Sequence, residues 1–237
     1  MLTITDCGYD RLATLLTHVV REMERIPRWA KYVALGASAE NDLQHSFSAS
    51  LLAIIVIETL RDKAPQWSFD PYAVLACVVI HDLGETVVGD THYIDKTPQK
   101  DRAEFDAFAA MLEPFPEAIR RRLEDIYLLQ YRTTRSTLPN SHMIDDVRPS
   151  PFPDHPDSSR EALVFDSIER LGYLLYAYRE YRERADLTLM LQVCRHQHSE
   201  LLRLSGIIPA FGDCFYPEPL RSQIHSLLIN YESQYLE

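Results

Sequence analysis

The chain reads as an all-α protein, a single helical bundle, on three observations. Glycine is scarce, with seven among 237 residues. Apolar residues recur at helical spacing through most of the chain, and little points to a sheet. Prolines fall at the edges of the apolar segments, where they stop or start helices.

The elements follow in order. Leu12, Leu15, Leu16, Val19 and Met23 repeat at i, i+3, i+4, i+7 and predict a first helix over Tyr9 to Arg25, stopped or bent by Pro27. The mixed stretch Arg28 to Leu43 predicts loop. Ser46 to Leu60 is apolar nearly all round, which predicts a central buried helix. Pro71 opens a segment over Tyr72 to Asp82. Its β-branched Val74, Val78, Val79 and Ile80 suit a buried strand as well as a helix, and periodicity alone does not separate the two. Lys100 to Thr133 predicts two helices broken near Pro114 and Pro116. The triplet Arg120-Arg121-Arg122 on the second reads as a solvated face rather than a phosphate site. Four prolines mark Arg148 to Pro156 as a loop, long enough to carry function. Ser158 or Ser159 caps a helix over Ser159 to Arg184, with Glu161 in its first turn. Leu187 to Leu204 is a further helix, ended by Gly206. Leu220, Ile224, Leu227, Leu228 and Tyr231 outline a closing amphipathic helix. The expected organisation is one domain over 1–237, with a core of about 9–184 and a helical extension of about 187–237.

Composition narrows the function. A 46% hydrophobic content suits one domain with a sizeable core. The net charge of −11 repels a phosphate backbone, so nucleic-acid binding is disfavoured and a small substrate is easier to accept. Handling phosphate then requires local neutralisation by a metal or a placed arginine. Cys7, Cys77, Cys194 and Cys214 form no Cys-x-x-Cys pair and read as reduced thiols. The residues after Met1 lack a basic stretch and a long apolar run, so no signal peptide is expected. The longest apolar runs, Leu51 to Ile57 and Tyr72 to Ile80, are short for a bilayer. A cytoplasmic protein without a membrane partner is the expectation. Thirteen tyrosines and the closing helix offer material for a homodimer face and equally for the core.

The chemistry concentrates in His81-Asp82-Leu83-Gly84-Glu85, running on to Asp90, with His45 upstream of another apolar run. Imidazole and carboxylate are the donors of a catalytic divalent transition metal, and a spare carboxylate beside them suits a water on that metal. Each residue has a plainer reading. His45 could start a helix, Glu85 could be a structural acid, and Asp90 could cap the turn after Gly89. Arg28 could be a surface ion pair, Trp29 a core aromatic and Lys96 an exposed charge. His196 and His198, two apart on a helix, point to different faces. His92, His142 and His155 lie in loops without ligand spacing. No phosphate-binding Gly-rich loop, dinucleotide fingerprint or Gly-x-Ser-x-Gly elbow is present.

Taken together, His45, His81-Asp82 and a later aspartate resemble the H…HD…D pattern of HD-domain metal-dependent phosphohydrolases. The last aspartate is best placed at Asp166, ahead of Tyr173, Tyr176, Tyr178 and Tyr181, with Asp145, Asp146 and Asp154 as rivals. The run His81, Asp82, Glu85, Asp90, with Lys96 beyond and Arg28-Trp29 upstream, is similar to the YfbR-type bacterial 5'-deoxynucleotidases. The resemblance implies an HD-type all-helical fold around one buried divalent ion, Mn, Co, Fe, Zn, Ni or Mg, held by His45, His81, Asp82 and Asp166. It implies that Glu85 orients or deprotonates the attacking water, Arg28 contacts the 5'-phosphate, Trp29 packs near the nucleoside and Asp90 lies near the sugar. Lys96 is a further substrate contact in the same scheme. Gln44 stands where many relatives carry Glu, Thr91 to Asp95 lacks the prolines usual there, and Ser136 to Ser159 is longer than usual.

The expected activity is hydrolysis of (deoxy)nucleoside 5'-monophosphates, the substrate being a small phosphate ester. The alternatives are another HD-fold phosphohydrolase (a phosphodiesterase or nucleoside triphosphate hydrolase), a di-iron oxygenase, or a non-catalytic nucleotide-binding module.

Overall fold

A computed structural model describes residues 9–29, 40–91, 96–131, 152, 159–185 and 187–235. Among them the chain forms helices α1 (Tyr9–Arg25), α2 (Asp42–Lys63), α3 (Pro71–Ile80), α4 (Glu85–Val88), α5 (Pro98–Leu112), α6 (Glu117–Tyr127), α7 (Arg160–Arg184), α8 (Leu187–Ile207), α9 (Pro209–Phe215) and α10 (Glu218–Tyr235). A 3-10 turn over Leu128–Tyr131 extends α6. The fold is all-α, as expected. The ambiguous stretch after Pro71 is helical: Asp70 caps it by accepting from the Tyr72 and Ala73 amides, and Pro71 sits in the first turn, where its missing N–H costs nothing.

The core forms where α2, α3, α7 and α8 pack together. Ala53 and Val56 of α2, Val74, Cys77 and Val78 of α3, and Ala162, Val164 and Ile168 of α7 are all sealed from solvent. Small residues at Ala49, Ala53 and Ala162 let these helices approach closely. The long helix α8 carries Leu201 and Leu204 into the same core, and Phe211 and Tyr216, from α9 and just beyond it, close one end.

Three features depart from expectation. The Arg28 to Leu43 stretch is not all loop. Pro27–Arg28 (β1) pairs antiparallel with Glu40–Asn41 (β2), and α2 begins at Asp42. Asn41 and Gln44 there form a reciprocal capping box, so Gln44 fills the third position of the helix with the amide this motif needs. Second, α2 is buried on one side only. Phe47, Leu51, Ile54 and Ile55 form an exposed outer face, because an all-round apolar pattern carries no information on which side is covered. Third, by length and composition 42–63 and 71–88 could each cross a membrane. In this fold each packs one side into the core, and their ends carry the buried His45, His81, Asp82 and Glu85. The proline-rich loop falls outside the described residues except for Phe152, which is buried against Phe105 and Tyr131.

A smaller cluster of Phe108, Leu112 and Tyr127 supports the turn between α3 and α4, receiving Ile80 and Leu83. Gly84 is pressed against it. A Cβ at Gly84 would collide with the Glu104 carbonyl and stand 2.8 Å from the Tyr127 hydroxyl. Backbone atoms cannot give way as a flexible side chain can. Gly84→Ala is therefore expected to destabilise the fold by about 1–3 kcal/mol through overpacking. It should also displace Glu85, the next residue. Thermal unfolding checks the first effect, and metal titration of the folded fraction checks the second.

Candidate metal centre

The candidate centre lies where three chain segments meet. His45 comes from the first turn of α2, and His81 and Asp82 from the turn that follows α3. Glu169 lies in the third turn of α7. The turn after α3 is tight: Glu85 N–H donates to Asp82 carbonyl at 3.0 Å, and Thr86 N–H to Leu83 carbonyl at 3.3 Å. This i to i+3 winding puts Asp82 and Glu85 on one side.

The ring orientation of His81 is set from behind. Its Nδ1 lies 2.8 Å from the Val78 carbonyl, which can only accept, so Nδ1 carries the hydrogen and Nε2 faces the site. From Nε2, Asp82 Oδ1 is 3.1 Å away and Glu169 Oε2 is 3.5 Å away. His45 Nε2 lies 3.4 Å from the same Glu169 oxygen and 3.9 Å from Asp82 Oδ2. All four residues are buried. His45 Nε2 and both Glu169 oxygens find no hydrogen-bond partner among the described residues. Buried polar atoms left without partners are costly, and the ligand atoms of His45, His81 and Glu169, all within 4.8 Å of one another, suit a divalent ion. Two imidazoles and the Glu169 carboxylate, with Asp82 adjoining His81, therefore fit the metal implied by the motif.

Asp166, expected from sequence as the fourth ligand, is not brought into this group but is paired with arginines. Its carboxylate takes Arg170 Nε at 2.8 Å and Arg203 Nη2 at 3.3 Å, tying α7 to α8. Glu169, three residues on, carries the acid into the centre. The sequence does hold a signal: Arg170 stands at i+4 from Asp166, an ion-pair spacing that engages Asp166 along its own helix.

The substrate-side residues are also located. Arg28, held by the β1–β2 pair, donates from Nη1 to Asp82 Oδ2 at 2.6 Å and Asp42 Oδ1 at 3.5 Å. Trp29 has a left-handed backbone, with φ of 60°. It is held there by its Nε1 donating to Glu40 at 3.1 Å and by parallel stacking on Tyr176 at 4.6 Å. Its ring is thus buried and stacked inside the protein. Lys96 Nζ lies 2.8 Å from Glu85 Oε1 and 3.0 Å from Glu104 Oε2, held between two acids. Asp90 is exposed beyond the end of α4, near enough for its charge to act on Asp42 and Glu85. Asp42 and Glu104 were not singled out from sequence, since neither belongs to the motif. Among the rival aspartates, Asp145, Asp146 and Asp154 lie outside the described residues.

Electrostatics follow from burial and neighbours. Burial pushes the Glu85 carboxyl up to about 8, with Asp82 adding to the effect and Lys96 and Arg28 opposing it. Burial likewise raises Asp42 to about 7, with Asp82 adding and Arg28 opposing. At His81 burial acts downward, but the Asp82 and Glu169 carboxylates overcome it and raise the imidazole to about 9. Glu169 is held well below the usual carboxylate range, the two imidazoles overcoming its burial.

Comparison with known proteins identifies the family. Residues 21–200 match the family model described as an HD domain, and the chain belongs to that family. HD domains are generally hydrolases dependent on divalent metals, and here the buried His45, His81 and Glu169 form a group that could hold one, with Asp82 beside His81. A solved structure of a conserved hypothetical protein from Pyrococcus furiosus is similar with a TM-score of 0.50 at 19% identity. The match covers 84% of this chain and 98% of that one, and it shows the fold. Among curated proteins none matches the chain.

Two outcomes are expected. Glu169→Gln should weaken divalent-metal binding by more than roughly a hundredfold, because even residues that only orient ligands are worth ten- to a hundredfold. Asp166→Asn should leave metal binding nearly unchanged while lowering thermal stability. Isothermal titration with Mn²⁺ separates the two. Because His81 holds a proton below about 9 in the metal-free protein, metal uptake near neutral pH should release a proton. Apparent affinity then rises with pH and levels off above that value. Titrations in buffers of different ionisation enthalpy measure the proton count.

Proposed function

We propose that this HD-domain protein is a metal-dependent phosphomonoesterase acting on (deoxy)nucleoside 5'-monophosphates. The observation that carries the reading is the arrangement around Asp82. It faces His81 on one side and the Arg28 guanidinium on the other, with Glu85 beside it. A divalent ion held by His45, His81, Asp82 and Glu169 would supply positive charge to a phosphoryl oxygen and make a water more acidic.

The protein's own residues do the rest. Arg28 presents a planar, permanently charged fork 2.6 Å from Asp82, and a phosphoryl group arriving there can take its remaining N–H donors. Glu85 has one oxygen committed to Lys96, while Oε2 is buried and without a hydrogen-bond partner among the described residues. That oxygen is suited to take a proton from the attacking water. The water oxygen bonds to phosphorus, the bond from phosphorus to the 5'-oxygen breaks, and the proton held by Glu85 is returned to the departing oxygen. The products are nucleoside and inorganic phosphate. A carboxyl whose proton affinity lies near neutrality can both take and return a proton. Lys96 fixes Glu85 rather than touching substrate in this scheme, and Trp29 supports the site through Tyr173, which faces His45. The partner in this reading is a small phosphate ester.

The test is phosphate release from a panel of ribo- and deoxyribonucleoside 5'-monophosphates with Mn²⁺, Co²⁺ or Mg²⁺. Matching 3'-monophosphates, triphosphates and diesters complete the panel. Turnover is expected with the 5'-monophosphates, and Glu85→Ala should lower kcat by roughly 10²- to 10⁴-fold. Failure of every monophosphate with every metal would reject the proposal, and preference for a triphosphate or diester would move it to another hydrolase of the same fold.

A further inference from the structure

Asp42 plays no part in the scheme above, yet it is fully buried at the site's edge. It opens α2 three residues before His45. Oxygens of Asp42, Asp82 and Glu85 lie within 4.8 Å of one another, all from buried residues. Two oxygens of this group, Asp42 Oδ2 and Glu85 Oε2, have no hydrogen-bond partner among the described residues. The Arg28 guanidinium reaches the other oxygen of Asp42 at 3.5 Å, and Lys96 takes the other oxygen of Glu85 at 2.8 Å. The unpartnered atoms are therefore those that the two local cations leave uncovered.

We infer that Asp42 and Asp82 form a second cation site beside the Glu85 base, for a hard divalent ion such as Mg²⁺ or Mn²⁺, that shares Asp82 with the histidine site. The inference rests on reading the His45–His81–Asp82–Glu169 group as the first site. The donors are all carboxylate oxygens, which suit hard ions, whereas the imidazoles of the first site suit later transition metals. Mg²⁺ is usually held by one or two carboxylates with water and substrate phosphate completing the shell, so Asp42 and Asp82 are sufficient. Arg28 is the competing cation. It draws on Asp42 and Asp82, the same carboxylates the ion would use, so the two oppose each other. The ion's arrival frees the guanidinium for the phosphoryl group.

Competition makes the test two-sided. Equilibrium dialysis of the full chain against Mn²⁺, followed by elemental analysis, should give about two ions per chain in the wild type and about one in Asp42→Asn. Arg28→Gln should keep both ions and bind the second roughly tenfold more tightly, since a competing charge is removed. His81→Ala identifies the first site by losing its ion. One ion in both the wild type and Asp42→Asn, or a second ion weakened by Arg28→Gln, would overturn the inference and leave the first site standing. No ion in the wild type would overturn the metal-centred function itself. Should Asp42→Asn misfold by circular dichroism, the wild-type count and the direction of the Arg28→Gln shift still decide.

Discussion

Burying carboxylates faster than cations is the constraint on which this structure turns. Asp42, Asp82, Glu85, Glu104 and Glu169 are all closed off from solvent at one end of the helical core. An isolated buried carboxylate is far too costly to persist, so each must be paired, protonated or coordinated. The local elements can be read as answers to that demand. The short β1–β2 pair delivers Arg28 to Asp82, and the segment before α5 delivers Lys96 between Glu85 and Glu104. The imidazoles of His45 and His81 face Glu169. Atoms that remain unpartnered after these pairings mark where the fold gives up stability for chemistry.

The support behind the site is apolar and stiff. Leu83 and Ile80 sit on the Phe108–Tyr127 cluster, whose rings stack at 4.3 Å, and Gly84 is pressed against the backbone of α5. Asp82 and Glu85 flank this anchor, so their separation is set by packing rather than by the charges they carry. The same logic holds at Trp29. A left-handed backbone costs a bulky residue of order 1–3 kcal/mol. The stack on Tyr176 and the bond to Glu40 hold it, and the neighbouring Arg28 is thereby fixed in direction.

The helices were legible because apolar spacing is a property of the chain itself, and the class and most boundaries follow from it. Which face of α2 is covered was not legible, since Phe47 and Ile55 look the same in sequence as Val56 and Ile57. The motif located His45, His81, Asp82 and Glu85 near one another, but not the acid from α7. Asp166 and Glu169 are three apart on one helix, and only the placement of α8 decides between them. Arg203 and Gln197 of α8 meet Asp166 and its partner Arg170, leaving Glu169 for the imidazoles. Asp42 and Glu104 were invisible to motif reasoning because their significance lies in burial, which no short pattern encodes.

The two basic residues that touch these acids differ in what they can do. Lys96 is a point charge committed to two carboxylates at 2.8 and 3.0 Å, and moving it would strand both in a buried setting. Arg28 holds Asp82 closely but Asp42 at only 3.5 Å, and a guanidinium has five donors to distribute. It can keep one bond to Asp82 while offering its outer edge to an anion. Among the described residues that touch the Asp82–Glu85 acids, it is therefore the cation best able to meet a phosphoryl group. A single such fork suits one terminal phosphate more readily than a chain of three, each of which would need its own neutralising partner. On electrostatic grounds this supports the monoester reading proposed above.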